Sequence, residues 1–157
     1  MRKMTGGSAA DAQSILDNVG EIACEFASQR SERQRRRGLQ DEDFDRLKES
    51  GYPLVAVPTE FGGIWEGDNV GTRKICEILK TLAQGDSSIA LVSAMHPAVI
   101  GSAGWSTIST APEPYTKAWE EQRDWAFQTA KEGHFCCLLY TSPSPRDLST
   151  SRMPSSA

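Results

Sequence analysis

The stretch ICEILKTLAQGDSSIALVSAMHPAVIG, residues 75–101, decides the fold class of this chain. Apolar side chains recur in its first half at the three- and four-residue spacing of one helical face. Gly85 then marks a helix end, and Asp86 or Ser87 can cap the helix that follows. That second helix is apolar nearly all round, which is typical of the buried centre of a bundle. Pro97 is expected to kink it or to end its regular part.

Helical signals continue on both sides of this pair. Asp11 can cap a first helix that has one apolar face and continues to Gly38. A short helix should begin at the acids Asp41, Glu42 and Asp43 and close at Gly51. A helix of about fifteen residues should follow Thr72, and a last helix should run from about Trp119 to Glu132. The apolar run PLVAVPTEFGG is bracketed by Pro and Gly, so we expect a buried, extended connector there rather than a strand. The sequence therefore predicts an all-α fold, a compact bundle of about five helices.

Three segments are expected along the chain: a flexible leader at 1–10, a helical domain at 11–135 and a tail at 136–157. The tail is rich in Ser and Pro and has no helical or strand periodicity, which is typical of disorder. Residues 137–147 and 151–157 can both be back-translated, in one frame, into constant parts of a transposase-based sequencing adapter. We therefore interpret the tail as a non-native, disordered adapter translation and exclude it from the fold.

The charge balance is mildly acidic, with a formal net charge of −4. This argues against a nucleic-acid-binding domain, which usually carries a basic surface. An arginine-rich end of the first helix leaves one alternative open, a stand-alone helical interaction module that uses this end. A charged, solvated helix end is the simpler interpretation, because cations are favoured in a last turn. The residues concerned are Arg30, Arg33, Arg35, Arg36 and Arg37.

Cysteine and hydropathy patterns limit the class of protein further. Outside the tail, Cys24 and Cys76 lie at apolar positions of predicted helices, and we interpret them as buried free thiols. Two cysteines are too few for a disulfide framework and lack the spacing of metal ligands. No stretch approaches a transmembrane span, and the N-terminus lacks an apolar signal core. We expect a cytoplasmic protein with neither a membrane nor a nucleic acid as partner.

Side chains that commonly carry catalysis are sparse. The two histidines, His96 and His134, stand far apart, and neither has a Cys or a carboxylate at ligand spacing. We interpret His96 as a core histidine whose hydrogen bonds are satisfied, since it lies on an apolar helix. The FGG run at 61–63 lacks the Lys and Ser/Thr that a phosphate loop needs. The sequence predicts no catalytic, cofactor-binding or metal-ligating residue.

Two ordered motifs resemble the acyl-CoA dehydrogenase family. The segment FDRLKESGYPLVAVPTEFGG, residues 44–63, resembles the family's short helix, apolar run and P-x-E-x-G-G turn. The segment at 75–101 resembles the family's pair of helices joined through L-A-x-x-D-x-S/A. The resemblance covers about residues 11–135. The matching residues are Pro58, Glu60, Gly62 and Gly63 in the turn, and Leu82, Ala83, Asp86, Ser87 and Ser88 in the helix pair.

This resemblance implies a flavoprotein parent. Family members have an N-terminal helical domain, a middle β-domain and a C-terminal four-helix domain, with FAD between the last two. A catalytic Glu removes the α-proton of an acyl-CoA while a hydride passes to the flavin. The chain is similar to the first domain only, so an N-terminal fragment of an oxidoreductase of fatty acid metabolism is implied. Its parent would form a homo-oligomer, while the fragment would bind no FAD, be inactive and self-associate. Broader relatives of this fold oxidise or monooxygenate substrates that are not CoA thioesters.

One substrate-facing feature follows from the resemblance. In the family, the buried helix after L-A-x-x-D lines the far end of the acyl pocket. Ala90, Ala94 and Ala98 fall at i, i+4 and i+8, on one helical face. Small side chains there would leave room for a long or bulky acyl group. The alternative is that three alanines allow close helix packing.

Overall fold

The structure is a computed structural model that describes residues 11–36, 38–102, 105–107 and 110–136. Within these ranges the fold is all-α, and β-pairing is confined to one isolated bridge between Pro58 and Trp65. The predicted leader at 1–10 and tail residues 137–157 lie outside the described residues. The helices are α1 (Ala12–Ser28), α2 (Arg30–Arg35), α3 (Asp41–Glu49), α4 (Asp68–Gly85), α5 (Ser87–Ser93), α6 (Met95–Ser102) and α7 (Thr116–Lys131), with 3₁₀ turns at Tyr52–Leu54 and Thr59–Phe61.

Two of the predicted helices are each split in two, so five predicted helices correspond to seven. The first helix is interrupted at Gln29 without a Pro or Gly signal, and α2 ends at Arg35 rather than at Gly38. The apolar helix is interrupted at Ala94, between α5 and α6. Pro97 explains the second break, because its ring excludes the carbonyl of the residue four positions earlier and it has no N–H to donate. The predicted interruption of the regular helix near Pro97 is therefore confirmed.

The core lies mainly between α1 and α4. Val19 and Phe26 of α1 and Leu82 of α4 are fully buried, as their helical spacing predicts. The two backbones come very close, because a Cβ placed on Gly85 would lie 2.4 Å from the carbonyl oxygen of Ala23. Glycine is therefore required at this crossing, and its place at the helix end is a packing requirement as well as a stop signal.

Both predicted N-caps are confirmed. The Asp11 carboxylate accepts a hydrogen bond from the Ser14 amide at 3.2 Å, and Asp86 accepts from the Ser88 amide at 2.9 Å. Hydrogen bonds from the Ser14 side chain and backbone lower the pKa of Asp11. The caps fix where α1 and α5 begin, since each satisfies amides that have no partner within the helix.

The connector between α3 and α4 is buried but not extended. Val55, Ala56 and Val57 are at most 1% exposed, as expected for this apolar run. The chain here forms the two 3₁₀ turns rather than the predicted extended segment. These turns pair backbone groups locally, with the Val55 amide donating to the Tyr52 carbonyl at 3.1 Å. A buried backbone without a partner strand needs such local bonds.

The prediction of buried thiols is wrong. Cys24 and Cys76 are both free, but both are exposed. Each stands two residues from a buried isoleucine, Ile22 or Ile78, and a two-residue step turns a side chain about 200° around the helix. Their apolar neighbours in the sequence therefore led to the wrong prediction that both cysteines lie on the buried faces of their helices.

Candidate functional site

A buried ion cluster joins three elements around Arg33. Its side chain is only 5% exposed. The two terminal guanidinium nitrogens donate to the two carboxylate oxygens of Asp43 at 3.0 and 2.9 Å, and Nε donates to Asp86 at 2.7 Å. The guanidinium carbon also lies 3.6 Å from the centre of the Phe26 ring. The cluster thus ties α2 to α3, to the start of α5 and to the α1 core.

The charges in this cluster stabilise each other against burial. Burial alone would lower the pKa of Arg33, but its hydrogen bonds to the Asp43 and Asp86 carboxylates raise it overall. Burial likewise tends to raise the pKa of Asp86, and the hydrogen bond from Arg33 outweighs that effect and lowers it. Arg33 and Asp86 are therefore charged at neutral pH, and they form a paired, buried cluster with Asp43.

Three arginines of the arginine-rich run bond to other parts of the domain. The interpretation as a solvated helix end is wrong for Arg33, which is buried. Arg30 donates to the Gln84 carbonyl at 2.8 Å, and Arg36 pairs with Asp43. Arg35 is exposed, whereas Arg37 lies outside the described residues. The sequence pattern missed Asp43, because an acid at a helix start already has an explanation in the helix dipole.

The P-x-E-x-G-G turn is shaped by its two glycines. Gly62 has a φ of 89°, in the left-handed region that favours glycine. A Cβ placed on Gly63 would lie 2.0 Å from the Val57 carbonyl oxygen. The Gly63 amide donates to the Pro58 carbonyl at 3.1 Å. The turn therefore folds back onto the buried connector, and it leaves Glu60 exposed.

An open groove of about 560 Å³ lies beside this turn. Aromatic side chains Phe61, Trp65 and Trp105 line it, together with Glu60 and Arg123. The Arg123 guanidinium carbon lies 5.0 Å from the centre of the Phe61 ring. Its size and aromatic faces suit a planar small molecule, but it contains charged groups of both signs, so its lining does not define a ligand class.

The three candidate pocket alanines differ in exposure. Ala90 is buried, Ala94 is half-buried and Ala98 is exposed. The Ala94 amide donates to the Ala90 carbonyl at 3.0 Å, and the Ala98 amide to the Ala94 carbonyl at 3.3 Å. The helical register thus continues across the break, and the three alanines follow one line from the core to the outside. Beside that line, Leu91 is 74% and Val92 47% exposed.

His96 is a core histidine with satisfied hydrogen bonds, as predicted. It is fully buried, with Nε2 2.7 Å from the Pro53 carbonyl oxygen. Its Nδ1 accepts a hydrogen bond from the Cys136 amide at 2.9 Å. Burial lowers its pKa, and the bond to Pro53 opposes that shift in part. Neither ring nitrogen is free to act as a base in this arrangement, and the exposed His134 lies away from any cluster of ligands.

The described residues contain neither a metal-ligating cluster nor a helix that could span a membrane. No group of three or more His, Cys, Asp or Glu side chains in these ranges could hold a metal ion. In the same part of the chain, no helix is both long and apolar enough to cross a bilayer.

Comparisons with known proteins give one relative. No family model matches the chain, and no solved structure matches it. The chain is 30% identical over 98 residues to an indole-3-acetate monooxygenase of Acinetobacter baumannii. The matched part makes up 60% of this chain and 22% of the monooxygenase, so the chain spans less than a quarter of that relative's length. Over the matched part, the chain is similar to an oxidoreductase.

Proposed function

We propose that residues 11–135 form the N-terminal helical domain of an FAD-dependent oxidoreductase with an acyl-CoA dehydrogenase-like fold. The observation that carries this proposal is the ordered pair of motifs within an all-helical domain. Two of the matching residues have structural roles: Gly63 stands where a Cβ would meet backbone, and Asp86 both caps α5 and binds Arg33. The similarity to a monooxygenase supports oxidoreductase chemistry in the parent.

The reaction proposed for the parent is the α,β-dehydrogenation of an acyl-CoA thioester, in a cytoplasmic homo-oligomer. FAD would supply the hydride acceptor for that reaction. The described residues do not fit FAD, because they offer neither a glycine-rich phosphate cradle nor an enclosed cavity for the flavin ring. We therefore propose that this chain turns over no substrate alone. Its contribution would be the outer face of α5 and α6, where Ala94 and Ala98 would border an acyl group.

Monooxygenation of an aromatic acid is the second candidate reaction for the parent. The relative's activity as an indole-3-acetate monooxygenase favours it. Acyl-CoA dehydrogenase-like proteins include monooxygenases of substrates that are not CoA thioesters, so the fold is compatible with both reactions. The interaction-module alternative is less favoured, because Arg30, Arg33 and Arg36 bond within the domain.

The test begins at the source locus. Genomic DNA should be sequenced through the codon for Phe135, and the open reading frame found there should be expressed and purified. A yellow product whose flavin bleaches anaerobically with acyl-CoA supports dehydrogenation. Reduced-nicotinamide- and oxygen-dependent conversion of indole-3-acetate supports monooxygenation instead. A colourless product from a frame that encodes CLLYTSPSPRDLSTSRMPSSA and then stops would overturn the proposal. Binding to a partner that weakens steeply with salt would then favour the interaction module.

A further inference from the structure

The hydrogen bonds of His96 define its protonation state. A backbone amide can only donate, so Nδ1, which receives the Cys136 N–H, carries no proton. A carbonyl oxygen can only accept, so Nε2 carries the proton that it donates to Pro53. The ring is therefore neutral, with one nitrogen used as an acceptor and the other as a donor. Only this tautomer satisfies both partners.

The segment at 134–136 returns across the domain after α7. Gly133, with a φ of 83°, reverses the chain, and the His134 amide donates to the Thr129 carbonyl at 3.1 Å. Phe135 then packs its ring 5.5 Å from the ring of His96 and 5.9 Å from that of Tyr52, centre to centre. The apolar contact and the Cys136 amide bond hold the same three residues, and His96 takes part in both.

We propose that His96 is a pH-sensitive latch, which holds residues 134–136 on the helical domain when neutral and releases them when protonated. The contact uses only the backbone amide of residue 136, so it does not depend on the side chain there. This inference does not depend on the proposed function, since it concerns only how the segment after α7 is held.

Protonation would remove the acceptor that the segment uses. An imidazolium donates from both nitrogens, so its Nδ1–H would face the Cys136 N–H donor to donor. Among the described residues of the elements packed on His96, no charged group would compensate. α5 contains no titratable residue, and His96 is the only one in α6. The Tyr52–Leu54 turn contributes Tyr52, and the segment itself contributes exposed His134 and the Cys136 thiol. Burial raises the pKa of Tyr52 to about 12, so the phenol is neutral throughout the relevant range.

The direction of the pH dependence follows from these environments. Once released, His96 would have an ordinary pKa of about 6.5. In the latched state burial lowers the pKa. The released state therefore binds more protons at mildly acidic pH. The latch should be strongest above about pH 6.5 and weaken as the pH falls, by up to about tenfold per unit until the latched ring also titrates.

Amide hydrogen exchange on the full 157-residue chain tests the latch. The protection factor of the Cys136 amide, corrected for intrinsic exchange at each pH, should fall toward acid while that of the Leu82 amide in α4 stays constant. His134→Asn removes the only other histidine and should leave this dependence unchanged. His96→Asn keeps an acceptor that does not titrate, and protection at residue 136 should then be independent of pH.

Nitrogen-15 spectra of the imidazole rings test the latch even if the His96→Asn variant does not fold. In the wild-type chain, His96 should give the signals of a neutral ring protonated at Nε2 and should lose them over the pH range in which Cys136 loses protection. Three results would overturn the latch. They are a protonated His96 with Cys136 still protected, a constant Cys136 protection factor, and a parallel loss at Leu82 that indicates global unfolding.

Discussion

Arg33 shows how one side chain can organise several elements. It bonds two carboxylates from different helices and covers the Phe26 ring, although its neighbours in sequence are solvent-facing arginines and glutamines. A buried charge is tolerated only where its partners are in place, so removing Arg33 leaves Asp86 without its cation and Asp43 with Arg36 alone.

Replacing Arg33 by Met should therefore lower the free energy of unfolding by about 3–5 kcal/mol. Arg35→Met is the matched control in the same helix. Arg35 is exposed and bonds only the Ser31 carbonyl in the residues described, so that variant should change stability by less than about 0.5 kcal/mol. Urea denaturation followed by circular dichroism measures both. Equal losses of stability for the two variants would show that the buried cluster stabilises the fold no more than an exposed arginine does.

A pair of glycine substitutions separates packing from helix propensity. Gly63→Ala places a methyl group 2.0 Å from the Val57 carbonyl oxygen, so we expect a loss of stability of several kcal/mol, on the order of 3. Gly20→Ala, in the middle of α1, meets nothing within 4 Å and should raise stability by about 0.5–1 kcal/mol. Thermal melts followed by the circular dichroism of the helices show whether each substitution lowers or raises the stability. A neutral Gly63→Ala would mean that the turn is looser than described.

Among the helices, α5 depends on two separate interactions of Asp86. The carboxylate caps the helix and also accepts from Arg33, so the same residue fixes where the helix begins and where it sits. Asn can cap as well as Asp, but it cannot form an ion pair. Asp86→Asn therefore isolates the charge from the cap.

This variant should be less stable than wild type at neutral pH by about 1.5–3 kcal/mol, the range for a hydrogen bond to a charged group. Because Arg33 holds the pKa of Asp86 below its ordinary value of 3.8, the difference should be complete well above that pH. It should disappear as the pH falls through the lowered, folded-state pKa. Chemical denaturation at a series of pH values measures the difference, and Asp11→Asn at the exposed cap of α1 serves as control. A difference that stays constant down to pH 2 would contradict the assignment.

Sequence predicts the elements of this fold better than their internal breaks. The apolar faces of α1 and α4, both caps and the break near Pro97 were predictable, because each depends on residues a few positions apart. The break at Gln29 has no local signal. The Arg33 cluster joins residues 10 and 53 positions apart, so helix-end rules alone could not reveal it. The candidate pocket alanines show the same limit: their common line was visible in the spacing, but their graded burial depends on the packing of the whole bundle.

For the whole molecule, the outer side of α5 presents an apolar surface at Leu91 and Val92. The proposed parent would cover such a surface, whereas the chain alone leaves it to water. Exposed apolar patches promote association. We therefore propose that the isolated chain self-associates through this side.

Leu91→Glu should shift the chain toward monomer in sedimentation velocity runs at several concentrations, with little change in melting temperature because the side chain is 74% exposed. Leu39→Glu introduces the same charge at another exposed leucine and should leave the association unchanged. Association that is insensitive to Leu91→Glu would place the contact elsewhere.

The close crossing of α1 and α4 also determines how late in synthesis α1 can pack against α4. Ala23 and Gly85 touch, yet they stand 62 positions apart in the chain. At about 5–20 residues per second, a ribosome needs roughly 3–12 s to make the partner of α1 after α1 itself. During that interval the apolar side of the first helix lacks α4, although α3 and the Tyr52–Leu54 turn are already available to it. A nascent chain of this protein should therefore bind a chaperone that recognises apolar segments and leave it only after Gly85 has emerged from the exit tunnel.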